Sequence, residues 1–140
     1  MTLDRLVPHV GAAACLVLAA VLSAPYFLVD AQPELLTAYY GAGPVGVVAA
    51  VFLSVLGVVI FLSGVRGRAD PALVSGIMLA VGVTIFLLTV LWAVTLEAAI
   101  VENVLALDPS AGWLSIHRWL AAATAFVVGA AAALYAHTVV

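Results

Sequence analysis

Lysine is absent from the 140 residues, and the only basic side chains are Arg5, Arg66, Arg68 and Arg118. Without a lysine amine no imine can form, which excludes retinal and pyridoxal Schiff bases. Cysteine occurs once, at Cys15 inside an apolar run, so neither an intrachain disulfide nor a cysteine-based metal site is available. Charge of either sign is scarce: 8% of residues are charged and 67% hydrophobic. A soluble domain has roughly 25% charged and about 45–50% apolar residues, so this composition does not suit a water-soluble fold. The formal net charge of −3 offers no broad basic patch for nucleic acid or anionic headgroups. Acidic excess, no lysine and abundant Ala and Val suggest a GC-rich genome and a salt-loving source.

What the chain does have is long stretches free of charge, of which Pro71–Leu96 is the clearest. A helix rises about 1.5 Å per residue, so crossing a hydrocarbon core of roughly 30 Å takes about 20 apolar residues. Four such spans are predicted, at about 6–29, 45–65, 71–96 and 116–136, in one domain. Pro8 suits the first turn of span one. Asp30 to Gly43 reads as a loop, with Gly41-Ala42-Gly43-Pro44 breaking the helical pattern. Gly64-Val65-Arg66-Gly67-Arg68 ends span two, and Asp70-Pro71 reopens a helix as N-cap and first residue, which makes the link a tight hairpin. Glu97 to Leu107 reads either as an extension of span three or as a short helix on the membrane surface. Ser115 is the expected cap of span four. Ala12-Ala13-Ala14-Cys15 is similar to a lipoprotein cleavage box, but its apolar run follows the cysteine, and the expectation is an uncleaved first span.

Arg5, Arg66 and Arg68 fall on one side of the spans and Arg118 on the other. Three against one places both termini in the cytoplasm. Tyr26, Tyr39, Tyr40, Trp92, Trp113 and Trp119 cluster near the outer span ends and read as an interfacial belt, with Tyr135 at the inner edge.

Small residues recur every four positions in span one (Gly11, Cys15, Ala19, Ser23) and span four (Ala121, Ala125, Gly129, Ala133). Such stripes let helix backbones approach, so spans one and four are expected to pack along them. His9 and His137 fall at the same end of those spans, and a histidine pair can ligate haem iron. Meeting water and headgroups is the plainer reading. His117, Glu97, Glu102 and Asp108 can be drawn together around a divalent cation, but a solvated acidic rim accounts for the acids. Arg118 is expected to pair with one of these acids or with Asp30. No ionisable group lies near a span centre, where transporters place them, and Ser54, Thr84, Thr89 and Thr124 are the deep hydroxyls. A helical hydroxyl usually returns its hydrogen bond to its own backbone. Proline is missing from the span centres, so the broken-helix signature of transporters is not seen either.

Ala24-Pro25-Tyr26, Tyr39-Tyr40, Ala69-Asp70-Pro71-Ala72-Leu73, Trp92-Ala93-Val94-Thr95 and His117-Arg118-Trp119-Leu120 together give a chain that resembles an uncharacterised family of small four-span membrane proteins found in halophilic archaea. The resemblance implies a halophilic source and a four-helix fold, and brings no activity. Span count and the long first loop are similar to claudin-like proteins, but the paired loop cysteines of that group are missing. The expected fold is all-α, an integral membrane, left-handed, up-and-down four-helix bundle. The expected role is non-catalytic: an accessory or scaffolding subunit of the cell membrane, without cofactor, metal or nucleic acid. Its partners are lipid and another membrane protein or its own copies, met through the helix stripes and an outer surface holding Tyr39, Tyr40, Trp113 and Arg118. The alternatives are a carrier or channel for a small or lipid-like molecule, and a haem-binding redox subunit.

Overall fold

In the computed structural model, which describes residues 3–29 and 33–139, each of the four predicted spans holds one long helix. In chain order the elements are α1 (Leu3–Leu28), α2 (Pro33–Tyr40), α3 (Val48–Val65), α4 (Pro71–Thr95), α5 (Ala98–Leu107), a single 3₁₀ turn (Pro109–Ala111) and α6 (Leu114–Val139). No strand occurs among the described residues. Helices α1, α3, α4 and α6 are long and apolar enough to cross a membrane.

These four form a closed ring. α1 packs on α3, α3 on α4, α4 on α6, and α6 returns to α1. Neighbours run antiparallel: Gly11 faces Phe61 while Cys15 faces Gly57, and Gly82 faces Gly129 while Phe86 meets Phe126. The ring therefore has a terminal end, holding the α3–α4 hairpin and both chain ends, and a loop end, holding α2 and α5. Buried positions repeat every three or four residues, as Ala50, Ser54, Gly57, Phe61 and Gly64 in α3 and Ser75, Met78, Gly82, Ile85, Thr89 and Trp92 in α4. A mean spacing near 3.5 is the pattern by which helices meet in left-handed bundles.

The helix ends follow from local chemistry. At the end of α3, Gly67 takes φ +71 while the Arg66 N–H donates to Leu62 and the Arg68 N–H to Ser63, a Schellman closure that only glycine makes without strain. Asp70 then accepts from the Ala72 N–H at 3.2 Å and Pro71 takes the first helical position of α4. α4 stops at Thr95 because Leu96 and Glu97 are extended, with ψ of 119 and 135. The Glu97–Leu107 stretch is consequently a separate helix, α5, and not an extension of α4.

Three boundaries differ from the sequence reading. The first loop contains α2, which packs on α5 to form a cap over the loop end. α3 begins at Val48 and not at Val45, since Gly43 and Gly46 both take φ 76 and keep the intervening residues in a turn. α6 begins at Leu114, so Ser115 lies inside its first turn and donates to the Gly112 carbonyl at 3.0 Å.

Candidate functional site

The polar chemistry of the interior gathers at the loop end, and it begins with Pro25. Proline has no N–H, so the Val21 carbonyl one turn earlier in α1 has no intrahelical donor. His117 of α6 supplies one, its Nε2 lying 2.6 Å from that oxygen. A carbonyl can only accept, so Nε2 carries the hydrogen, and in the neutral ring Nδ1 is the acceptor. Tyr39 Oη lies 2.7 Å from Nδ1 and donates to it. The result is a directed chain, Tyr39 O–H to His117 to the backbone of α1, in which His117 accepts at one ring nitrogen and donates from the other.

The next rung of α1 is bridged as well. The Tyr40 hydroxyl donates to the Leu22 carbonyl at 2.7 Å and accepts from the Tyr26 N–H at 3.2 Å, inserting itself into the ladder beside the proline. Burial pushes the Tyr40 hydroxyl up to about 12, against the lowering pull of the Tyr26 N–H. Burial, then the neighbouring Tyr40, also raise Tyr39 well above the ordinary tyrosine range, with Arg118 opposing. Both phenols are therefore neutral donors at any physiological pH.

The same cluster closes two helix ends. Trp92 Nε1 donates to the Tyr39 carbonyl at 2.7 Å, in the last turn of α2 where carbonyls lack helical partners. Arg118 Nη1 donates to the Leu96 carbonyl at 2.8 Å and to that of Ala93 at 3.3 Å, placing a cation at the negative end of the α4 dipole. Its Nε is buried and has no hydrogen-bond partner among the described residues. Around His117 the rings of Tyr39, Trp92 and Trp113 lie at centroid distances of 5.8, 6.0 and 5.7 Å, the tryptophans edge-on.

Several expected roles change in consequence. Tyr39 and Trp92 are each 1% exposed, so neither belongs to an outer aromatic belt, and Tyr39 offers no outer surface. Tyr26 and Trp119 do sit outside, at 66% and 54% exposure, while Tyr40 and Trp113 are half-buried. Tyr135 does not mark an inner edge: it is 1% exposed, its ring 6.1 Å from Phe61 and its hydroxyl against Gly64. Arg118 bonds backbone carbonyls where an acid was expected, because the unwinding after Thr95 leaves those oxygens open; Asp30, the other named partner, lies outside the described residues. His117 faces the core, away from any cation site shared with Glu97 and Glu102, and no group of three or more metal-type side chains converges among the described residues. His9 and His137 are both exposed, and His9 Nδ1 donates to the Arg5 carbonyl at 2.7 Å.

α1 and α6 are neighbours, but the small-residue stripes do not simply meet each other. Gly11 and Cys15 face Phe61 and Gly57 of α3, Ser23 borders a cleft with α3, and Gly129 faces Gly82 of α4. Ala19, Ala121 and Ala125 are buried, whereas Ala133 is exposed. The close-approach residues overlooked in the sequence are Gly57, Gly64 and Gly82; their spacing within the 3.5-residue pattern of α3 and α4 is the signal that reveals them.

Outside the ring, the end of α1, α2 and the start of α3 border an open apolar cleft of about 490 Å³ lined by Tyr26, Pro33, Leu36, Thr37, Tyr40, Gly41 and Val48. A second cleft of about 270 Å³ continues from it past Leu22, Ser23, Phe27, Val51 and Phe52.

One family model matches the chain over residues 1–140, that of a family of unknown function (DUF7548). No curated protein and no solved structure matches it.

Proposed function

The chain belongs to the family of unknown function DUF7548, and from its geometry we propose that it is a multi-pass membrane protein, both termini cytoplasmic, acting as a non-catalytic accessory subunit. The observation that carries this reading is the use made of the buried polar side chains. Ser54 donates to Ala50, Ser75 to Ala72 and Thr89 to Ile85, each within its own helix, while Tyr39 and His117 are spent on closing α1. Groups so engaged have their donors spent on the protein's own backbone and side chains and are not presented to a substrate. Large apolar side chains meanwhile face outward along the ring, among them Leu16, Phe52, Val59, Leu87 and Phe126, each more than half exposed. A bilayer solvates such a surface, and copies of the chain or another membrane protein can cover it. Arg5, Arg66 and Arg68 at the terminal end against Arg118 at the loop end support the cytoplasmic placement. A halophilic source follows from composition and resemblance alone.

The deciding experiment is gentle purification of the tagged protein from native membranes, reading the mass and composition of the complex. Co-purifying polypeptides in fixed ratio are the expected result. A lone chain or homo-oligomer overturns the accessory role and favours a second reading, binding or transfer of a lipid-like molecule. The observation behind that reading is the pair of continuous apolar clefts beside Tyr26 and Tyr40.

A further inference from the structure

At the opposite end of the bundle, the Schellman closure after α3 places Arg66 and Arg68 on either side of Gly67. Both arginines are exposed, and neither side chain has a hydrogen bond or ion pair among the described residues. Together with Val59, Leu62 and Ser63 they line a notch of about 170 Å³. The acid nearest in sequence, Asp70, is turned to the start of α4, where it accepts from the Ala72 N–H. Two unpaired cations therefore stand at the rim of an apolar notch.

The apolar floor continues in one direction. Val59, Leu62, Ser63 and Arg66 share a face of α3 by helical spacing, and the same face continues to Val55 and Phe52, which are 54% and 71% exposed. From Arg66 to Val55 the helix rises about 16 Å, close to half of a hydrocarbon core of roughly 30 Å. A cationic rim above an apolar stripe one leaflet long has the charge and shape of an anionic phospholipid in reverse.

We propose that this notch is a binding site for an anionic membrane phospholipid, its phosphate held between Arg66 and Arg68 and one acyl chain lying along Val59, Val55 and Phe52. The guanidinium fork matches a phosphate bidentately, which suits arginine where lysine would act as a point charge. The net charge of −3 does not oppose this: five of the seven acids belong to the loop end, beyond a Debye length of about 8 Å, and at the terminal end the three arginines outnumber Asp4 and Asp70. The site rests on the membrane reading of the bundle and adds to it a lipid class and a leaflet.

The test uses the full chain in mild detergent, with native mass spectrometry against graded phosphatidylglycerol or phosphatidylcholine. The expected result is preferential retention of phosphatidylglycerol. An Arg66→Gln, Arg68→Gln double variant is expected to lose that preference roughly twenty-five-fold, at about a fivefold contribution per arginine, while Arg5→Gln keeps it. Val59→Trp, which fills the notch without changing charge, is expected to weaken retention too. A double variant that retains phosphatidylglycerol like the parent overturns the site. Displacement of the lipid by equimolar inorganic phosphate also overturns it, by showing a simple anion site. Extraction of native membranes with alkaline carbonate separates the premises: release of the protein overturns the membrane reading and the lipid site with it, whereas retention together with an unselective notch overturns the lipid site alone.

Discussion

A histidine buried among aromatic rings depends on its partners being complete. Tyr39→Phe removes the donor to His117 Nδ1 and leaves a buried acceptor unmatched, a loss of about 1–3 kcal/mol. His117→Ala strands both the Tyr39 hydroxyl and the Val21 carbonyl and opens a cavity, so it is expected to cost more than Tyr39→Phe. Thermal unfolding of the two variants in detergent checks the order; equal stability of His117→Ala and the parent would contradict the chain of bonds. Tyr40 gives a pH signature. Its hydroxyl, raised from 10.0 to about 12 in the folded chain, holds its proton more tightly there than when unfolded. The contribution is full below pH 10 and is lost as pH rises through about 12. Unfolding free energy measured across that window is expected to fall, and less steeply in Tyr40→Phe.

Between α4 and α6 the backbones themselves come into contact at Gly82 and Gly129. A Cβ at Gly82 would lie 3.2 Å from the Gly129 Cα, against backbone that cannot turn aside, whereas a Cβ at Gly129 would meet the Gly82 carbonyl at an ordinary 3.7 Å. Gly82→Ala is therefore expected to lose about 1–3 kcal/mol through overpacking, and Gly129→Ala little. Denaturation in mixed micelles distinguishes them, and a greater loss at Gly129 would contradict the geometry. The helices themselves were legible in advance, because a charge-free run such as 71–96 has few other solutions and Asp70-Pro71 announces its start. α2 was not: Pro33 and the glycines around it read as a loop, and eight residues give too little periodicity to say otherwise. The site was hidden for a different reason. Tyr39, Trp92 and His117 are separated by 53 and 78 residues from the groups they bond, and aromatics near span ends ordinarily signal an interface. Only Pro25 hinted at it, since the carbonyl of Val21 must find a donor from elsewhere.

For the whole molecule, the uneven distribution of arginine predicts sidedness. Reporter fusions at either terminus are expected to report from the cytoplasm, and a fusion within Asp108–Gly112 from the opposite side. Moving charge should test the cause: Arg66→Gln with Arg68→Gln is expected to increase the inverted fraction in cells, and an unchanged orientation would mean that other features set it. The two ends of the bundle also differ in construction. The terminal end closes by glycine geometry and leaves its cations outside, while the loop end closes by side chains drawn from α2, α4 and α6.

That second closure bears on how the chain comes together. The donor for the Val21 carbonyl arrives ninety-six residues later, on the last long helix. Until then α1 carries an unmet carbonyl at the level of Pro25, and a buried polar group left without a partner costs about 1–3 kcal/mol. Synthesis that halts before His117 therefore leaves a lasting flaw in the first helix, and completion erases it. A chain of this kind completes its first helix only with its last, so one bond ties the opening of the sequence to its close.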